Sequence, residues 1–210
     1  MSTFDALRRT TEDETDFYQS LPCQVKCLCN YVDFDRKVII DAGSGKQIIA
    51  NTISELYPQS VVLTSEKNPC GIHNEEILFD IENPGIERDA FPPAVFGDFL
   101  EVSRKVDSVV SNAPYSMKDD FISHGLELAP DVYMLFPLQI INYIEICENW
   151  LDSPFYMGRI SMYPKVILNP RGEYIQGGNT GYAWFHWSTS QLNRKTPVKY
   201  EIFADIRKFM

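Results

Sequence analysis

Val106-Asp107-Ser108-Val109-Val110-Ser111-Asn112-Ala113-Pro114-Tyr115 reads as a buried strand that stops abruptly at an amide, a proline and an aromatic ring. Such an ending sets Asn112 and Tyr115 at the carboxyl edge of a sheet, where open α/β folds place their ligands. Val38-Ile39-Ile40-Asp41-Ala42-Gly43-Ser44-Gly45 has the same form: apolar strand, acid, glycine loop. The two strand ends are expected to face each other across one site.

Working outward, Lys37 to Asp41 is an apolar run without alternation, as in a central parallel strand buried on both faces. A helix follows from about Gln47 to Tyr57, with Ile48, Ile49, Ile53 and Leu56 as its buried face. Val61 to Thr64 is a second strand ending at Ser65-Glu66. Strand, glycine loop, helix, strand and an acid about 20 positions after the glycines form a Rossmann-like arrangement for a ribose-bearing ligand. The glycines let the backbone approach that ligand, and the Glu66 carboxylate would accept from ribose hydroxyls. Asp41-x-Gly43-x-Gly45 does not match the full dinucleotide fingerprint. It is not a phosphate-binding P-loop either: Gln47 stands where a hydroxyl would bind magnesium. Taken alone, the motif is also compatible with an ordinary β-to-α turn.

Glu76 to Asp80 reads as a third strand, and 81 to 106 as a connection with a short helix. After Tyr115 come a helix over Lys118–Leu128, a strand over Val132–Phe136 and a helix over Leu138–Trp150. Arg159–Leu168 and Gly181–Trp187 read as two late strands joined by a glycine-containing loop, Asn169 to Thr180. They suggest an antiparallel edge on an otherwise parallel sheet. Trp184 and Trp187 are three apart, so they lie on opposite faces, one in the core and one exposed or facing a pocket. Toward the start, Pro22 suits the first turn of a helix running through Val25, Leu28 and Tyr31, with Ser20 as its cap. Residues 1–16 carry an acidic run expected to be solvated or mobile.

The chain has 210 residues, enough for a single α/β domain over 17–210. No apolar run reaches the ~20 residues of a membrane span, and no basic-then-apolar leader opens the sequence. Cys23, Cys27, Cys29, Cys70 and Cys147 are odd in number. They favour reduced thiols, and with them an intracellular location, cytoplasmic or nuclear. None forms a Cys-x-x-Cys pair and no histidine is near the first three, so they are expected as small core side chains rather than a zinc site. No role falls to His73, His124 or His186. The net charge of −10 argues against an unaided grip on nucleic acid, since phosphate contacts need local Lys and Arg. Arg159, Lys165, Arg171, Arg194 and Lys195 concentrate positive charge in the last third, as a nucleic-acid-facing rim or simply a solvated surface.

The amide and carbonyl at Asn112-Ala113 can accept both hydrogens of an exocyclic amine, and Tyr115 can stack on a planar heterocycle. At this point the chain resembles the class I S-adenosylmethionine-dependent methyltransferases, in particular amino-methyltransferases with an Asn/Asp/Ser-Pro-Pro-Tyr/Phe motif. It is most similar to small viral or phage DNA adenine-N6 enzymes. Phe17-Tyr18-Gln19-Ser20-Leu21-Pro22 resembles the segment contacting the methionine part of the cofactor, and Asp41-Ala42-Gly43-Ser44-Gly45 the glycine loop beneath it. Glu66 resembles the ribose acid, Asp80 in Phe79-Asp80-Ile81 the acceptor for the cofactor adenine, and Tyr182-Ala183-Trp184-Phe185-His186-Trp187 the late aromatic strand.

The resemblance implies a mostly parallel seven-stranded sheet with helices on both faces and an antiparallel C-terminal edge. It implies S-adenosylmethionine as cofactor, held by Tyr18, Pro22, Asp41 to Gly45, Glu66, Asp80 and Asn112. It implies Asn112, Ala113, Pro114 and Tyr115 as the catalytic turn, acting by direct methyl transfer to an extruded base without a metal, on DNA in preference to RNA. Ala113 departs from the motif's first proline but keeps its carbonyl. No stretch is long enough for a separate target-recognition domain, so selectivity falls to Gly85–Lys105, to Asn169–Thr180 or to a protein partner. Methylation of an RNA base or a protein amine, and a non-catalytic subunit that keeps the fold, remain as alternatives.

Overall fold

The run Ser108–Ser111 is buried throughout, as a strand needs when helices cover both faces of its sheet. The computed structural model describes residues 20–67, 95–168, 174–177, 180–191 and 199–210. The expected strand at Glu76–Asp80, the acidic start, and Tyr18, Cys70, His73, Asp80, Arg171, Arg194 and Lys195 lie outside the described residues.

In chain order the elements are α1 (Pro22–Cys29), β1 (Val38–Ala42), α2 (Ile48–Leu56), β2 (Val61–Ser65), β3 (Val95–Phe96) and β4 (Ser108–Ser111). Then follow α3 (Lys118–Leu128), β5 (Asp131–Pro137), β6 (Tyr156–Tyr163), β7 (Val166–Leu168), β8 (Tyr174–Gln176), β9 (Tyr182–Ser188) and β10 (Tyr200–Asp205). The main sheet has the order β10-β6-β9-β5-β4-β1-β2-β3. β9 runs antiparallel between β5 and β6, and every other pairing in the sheet is parallel. The sheet is thus mostly parallel with an antiparallel strand toward its C-terminal edge, as expected, and has one more strand. β10, which sequence reading missed, adds itself outside β6 and makes the sheet eight-stranded.

Alternation along each strand feeds two cores. Ile40, Val109, Val132, Phe185 and Trp187 face one side with Phe121 and Ile122 of α3. Ile39, Val110, Tyr133 and Trp184 face the other with Val25 and Leu28 of α1 and Ile49 and Ile53 of α2. Trp184 and Trp187 therefore do lie on opposite faces, but both are fully buried, because the sheet is covered on both sides. The expectation that one of them is exposed or faces a pocket does not hold, for that reason.

Several boundaries also shift. α1 begins after Leu21, not Ser20, and the Leu21 N–H donates to Gln24 Oε1 at 2.8 Å. It ends at Cys29, leaving Tyr31 exposed. Leu56, expected in the core, is exposed at the end of α2. The expected helix 138–150 is broken into a 3-10 turn (Leu138–Asn142), one α-turn (Ile144–Ile146) and a π-helical turn (Cys147–Leu151). Tyr143 breaks it, with an extended backbone at φ −94°, ψ 120°. The expected strand 159–168 stops at Tyr163, since Pro164 has no N–H to continue the ladder. Its remainder, β7, pairs with β8 in a separate two-stranded sheet.

β10 fits against β6 only because residue 158 is glycine. Gly158 stands at φ +142°, and a side-chain carbon there would lie 2.7 Å from Tyr200 N and closer still to its carbonyl oxygen. Gly158→Ala is expected to cost roughly 2–4 kcal/mol, from backbone strain plus overpacking. The loss would appear in a denaturant melt and as faster amide exchange in β10 than in β1 or β4.

Candidate active site

The order of the sheet reverses at β1. From it β2 and β3 extend one way, and β4 and β5 the other. Such a switch point leaves a crevice outside the carboxyl ends of the two diverging strands. Ala42 ends β1 and Ser111 ends β4, and the two are register partners. The Ser111 hydroxyl donates to the Ala42 carbonyl and fastens the strand ends together. Ser111 escaped the sequence reading; its only signal was a hydroxyl at the end of a buried apolar run.

Beyond Ala42 the glycine loop takes left-handed backbone at Gly43 (φ +66°), Gly45 (φ +49°) and Gln47 (φ +59°). Glycine adopts these angles freely, whereas Gln47 carries a steric cost of about 1–2 kcal/mol. Three bonds fix the loop: Ser44 N–H to the Ser65 carbonyl at 2.8 Å, Gly45 N–H to Glu66 Oε2 at 2.8 Å, and Gln47 N–H to the Ser44 carbonyl at 2.7 Å. Glu66 thus sits at the loop, and one of its oxygens braces the backbone.

Asp41 is fully buried, and its Oδ2 accepts from the Ala50 N–H at 3.0 Å, near the start of α2. Burial pushes its carboxyl up to about 7, against that hydrogen bond and with the Glu66 charge adding to the rise. The folded state therefore holds a proton that the unfolded chain releases near pH 4. Stability contributed by that proton is present at low pH and is lost as pH rises toward 7. Asp41→Asn is expected to flatten the stability–pH curve between about pH 4 and 7, checked by urea melts across that range. An unchanged slope would contradict the assignment.

Beyond Ser111, Asn112 is half-buried, Ala113 is buried and Pro114 has φ −52°, ψ 130°. The Met117 N–H donates to the Pro114 carbonyl at 3.0 Å, and Tyr115–Met117 form a 3-10 turn that feeds α3. The two loops lie close together: a side-chain carbon on Gly43 would be 3.5 Å from the Phe121 ring and 3.9 Å from Pro114 Cδ. The half-buried Tyr115 ring has Lys118 Nζ 5.5 Å from its centroid and meets Tyr143 edge-on at 5.8 Å. Burial, and next the Tyr143 phenol, push the Tyr115 hydroxyl well above the usual phenol range, so it stays protonated. Lys118 and Tyr143 were not singled out by sequence reading. Tyr143 was hidden inside a segment read as continuous helix.

Pro22 opens α1, whose Gln24 carbonyl accepts from Trp184 Nε1 at 2.8 Å. The remaining motifs do not join the site. Cys23, Cys27 and Cys29 are free thiols of the core or its edge, and the described residues contain no cluster of metal-ligating side chains. His186 bonds Asp131 Oδ1 at 3.0 Å and lies 3.2 Å from the Tyr200 hydroxyl. Asp131 begins β5, so this network ties β10 to the sheet at the edge opposite the site. Arg159 is paired to Glu201 of β10, which makes it a cross-strand brace rather than part of an open basic rim. No described helix is long and apolar enough to cross a membrane.

The donor set suits a polar nucleoside-like ligand. Backbone glycines leave room beside Pro114, Glu66 offers a carboxylate, and the buried Asp41 Oδ1, Ser44 Oγ and Ser65 Oγ around the loop have no hydrogen-bond partner among the described residues. No protein-family model matches the chain, and no curated protein matches it by sequence. Solved structures do. A proposed RNA methyltransferase from Pyrococcus horikoshii is 16% identical with a TM-score of 0.57, covering 88% of this chain and 95% of its own. The methyltransferase subunit of a type I restriction-modification system from Streptococcus thermophilus is 15% identical with a TM-score of 0.57, over 90% of this chain and 47% of that one. An S-adenosylmethionine-dependent O-methyltransferase from Thermotoga maritima is 13% identical with a TM-score of 0.53, over 84% and 68%. At these identities the likeness is one of fold: the chain has the fold of S-adenosylmethionine-dependent methyltransferases.

Proposed function

We propose that the protein is an S-adenosylmethionine-dependent methyltransferase acting on an exocyclic amine, adenine N6 in DNA. The observation that carries this reading is the bond from Ser111 to the Ala42 carbonyl, which holds the glycine loop and the Asn112–Tyr115 turn side by side at the switch point. A cofactor loop and an amine-holding turn at that spacing are what direct transfer requires.

The Gly43–Gly45 backbone and Glu66 would hold the nucleoside part of the cofactor, and Asp41 keeps the loop seated on α2. Tyr18, Pro22 and Asp80 complete the cofactor contacts in this reading. When bound, S-adenosylmethionine supplies a methyl group on a sulfonium, so the leaving group is already activated. The protein's part is orientation. The Asn112 side-chain oxygen and the Ala113 carbonyl would accept the two amine hydrogens and leave the nitrogen lone pair free for the methyl group the cofactor would supply. Tyr115 stacks on the extruded base, a contact worth ~1–3 kcal/mol. Pro114 narrows the backbone freedom of the turn that presents both acceptors. No residue need act as a strong base, since the methylated nitrogen is acidic enough to shed its proton to water.

The net charge of −10 predicts weak binding at high salt, with a protein partner adding affinity, and Arg159, one residue of the basic group, is committed to Glu201. The likeness to the Pyrococcus horikoshii protein favours an RNA base as the second reading. Presenting unmethylated DNA, RNA and a protein mixture in parallel with labelled S-adenosylmethionine separates them. Label in DNA alone supports the first reading, and label confined to RNA or protein overturns it.

A further inference from the structure

Just after β5, two large apolar side chains stand in solvent at the site. Tyr143 is 55% exposed and Ile144 69%. The exposure is not that of a frayed segment, because buried residues bracket it: Ile140 before and Ile146 after. Both ends are also tied down. The Leu138 N–H donates to the Gly181 carbonyl at 2.7 Å, and Trp150 Nε1 donates to Asp119 Oδ1 at 2.6 Å, on the first turn of α3. The Cys147 N–H and thiol, to the Tyr143 and Ile141 carbonyls, close the turn between.

The helix is interrupted at this point. Tyr143 is extended, and a π-helical turn follows at Cys147–Leu151, a departure from regular helix that often marks a functional site. A rigid frame that holds an aromatic and an aliphatic side chain out in water is costly unless something covers them. The edge-on contact of Tyr143 with the Tyr115 ring places that surface at the mouth of the amine-holding turn.

We infer that Tyr143 and Ile144 are target-binding residues of the proposed reaction: Tyr143 is a second aromatic contact for the extruded adenine, beside Tyr115, and Ile144 covers the base's outer edge. Lys118 completes this wall with a cation over the Tyr115 ring. The inference rests on the DNA reading above. Its chemistry is that of any extruded base, which needs flat apolar surface to replace the stacking it leaves behind.

The test measures methyl transfer to unmethylated plasmid DNA, and equilibrium binding of that DNA with S-adenosylhomocysteine present, for Tyr143→Ala, Tyr143→Phe and Ile144→Ser. Tyr143→Ala is expected to raise KM for DNA, and weaken DNA binding, by roughly 5- to 150-fold, the worth of one base–aromatic stack. Tyr143→Phe keeps the ring and stays near the unaltered protein, and Ile144→Ser falls between. Cofactor affinity by calorimetry and the melting temperature stay unchanged in all three. Unaltered DNA KM and binding in Tyr143→Ala overturn the inference while leaving the DNA reading intact. So does a Phe variant as impaired as the Ala variant, or a loss that follows cofactor affinity. Absence of transfer by the unaltered protein overturns the DNA reading itself, and this inference with it.

Discussion

Replacing Asn112 with alanine is expected to reduce methyl transfer by roughly 10²–10³ in kcat, the cost typical of removing one preorganised polar group from a reacting centre. Asn112 follows directly on Ser111, whose bond to the Ala42 carbonyl fixes the end of β4. The side chain is half-buried, so its truncation removes an acceptor without opening the core. Folding is therefore preserved, and the melting temperature of Asn112→Ala stays within a few degrees of the parent. Asn112→Asp is expected to keep part of the rate, because a carboxylate oxygen accepts the same amine hydrogen. Single-turnover kinetics with saturating cofactor would measure all three proteins. An alanine variant that turns over at the parent rate would remove Asn112 from the reaction.

The second large effect is on stability. Trp184 is fully buried in β9, packed with α1 and α2, and its Nε1 donates to the Gln24 carbonyl across 160 residues of sequence. Trp184→Ala is expected to cost about 3–5 kcal/mol, the range for truncating a large aromatic core residue. For a chain of 210 residues this lowers the melting temperature by roughly 6–20 °C. Trp184→Phe keeps much of the packing but removes the indole bond to the Gln24 carbonyl and leaves a smaller ring, a loss of about 1–3 kcal/mol. The loss should reach the site, since α1 begins at Pro22, expected to border the cofactor. A calorimetric scan would check both values, and a shift of only a degree or two in Trp184→Ala would contradict the role given to this residue.

The parts of the molecule that could be read from sequence are those set by local pattern. Buried parallel strands appear as unbroken apolar runs, so β1, β2 and β4 were visible, as was α3, where Phe121, Ile122 and Gly125 line one buried face. The meeting of Asp41–Gly45 with Asn112–Tyr115 was also legible, because acids, glycines and an amide at strand ends have few purely structural uses. The break at Tyr143 was not. Leu138, Ile140, Ile141, Ile144 and Ile146 carry a helix-like spacing, while the segment is held by tertiary ties at Gly181 and Asp119 that local pattern does not reveal. β10 was hidden for a similar reason. Tyr200-Glu201-Ile202-Phe203-Ala204-Asp205 mixes half-buried and exposed positions, and it becomes a strand because Gly158 leaves β6 open to it. The error over Trp184 and Trp187 came from assuming that one face of β9 is open. Periodicity tells the two faces apart, but what covers each is decided by α1 and α3, far away in the chain.

The identity of the acceptor atom is the most direct test. DNA lacking N6-methyladenine would be incubated with the protein and methyl-labelled S-adenosylmethionine, then digested to nucleosides and separated by mass. Label in N6-methyldeoxyadenosine, absent with Asn112→Ala, is the expected result. Label in any other nucleoside, or none in DNA while RNA or protein becomes labelled, would contradict the proposed function.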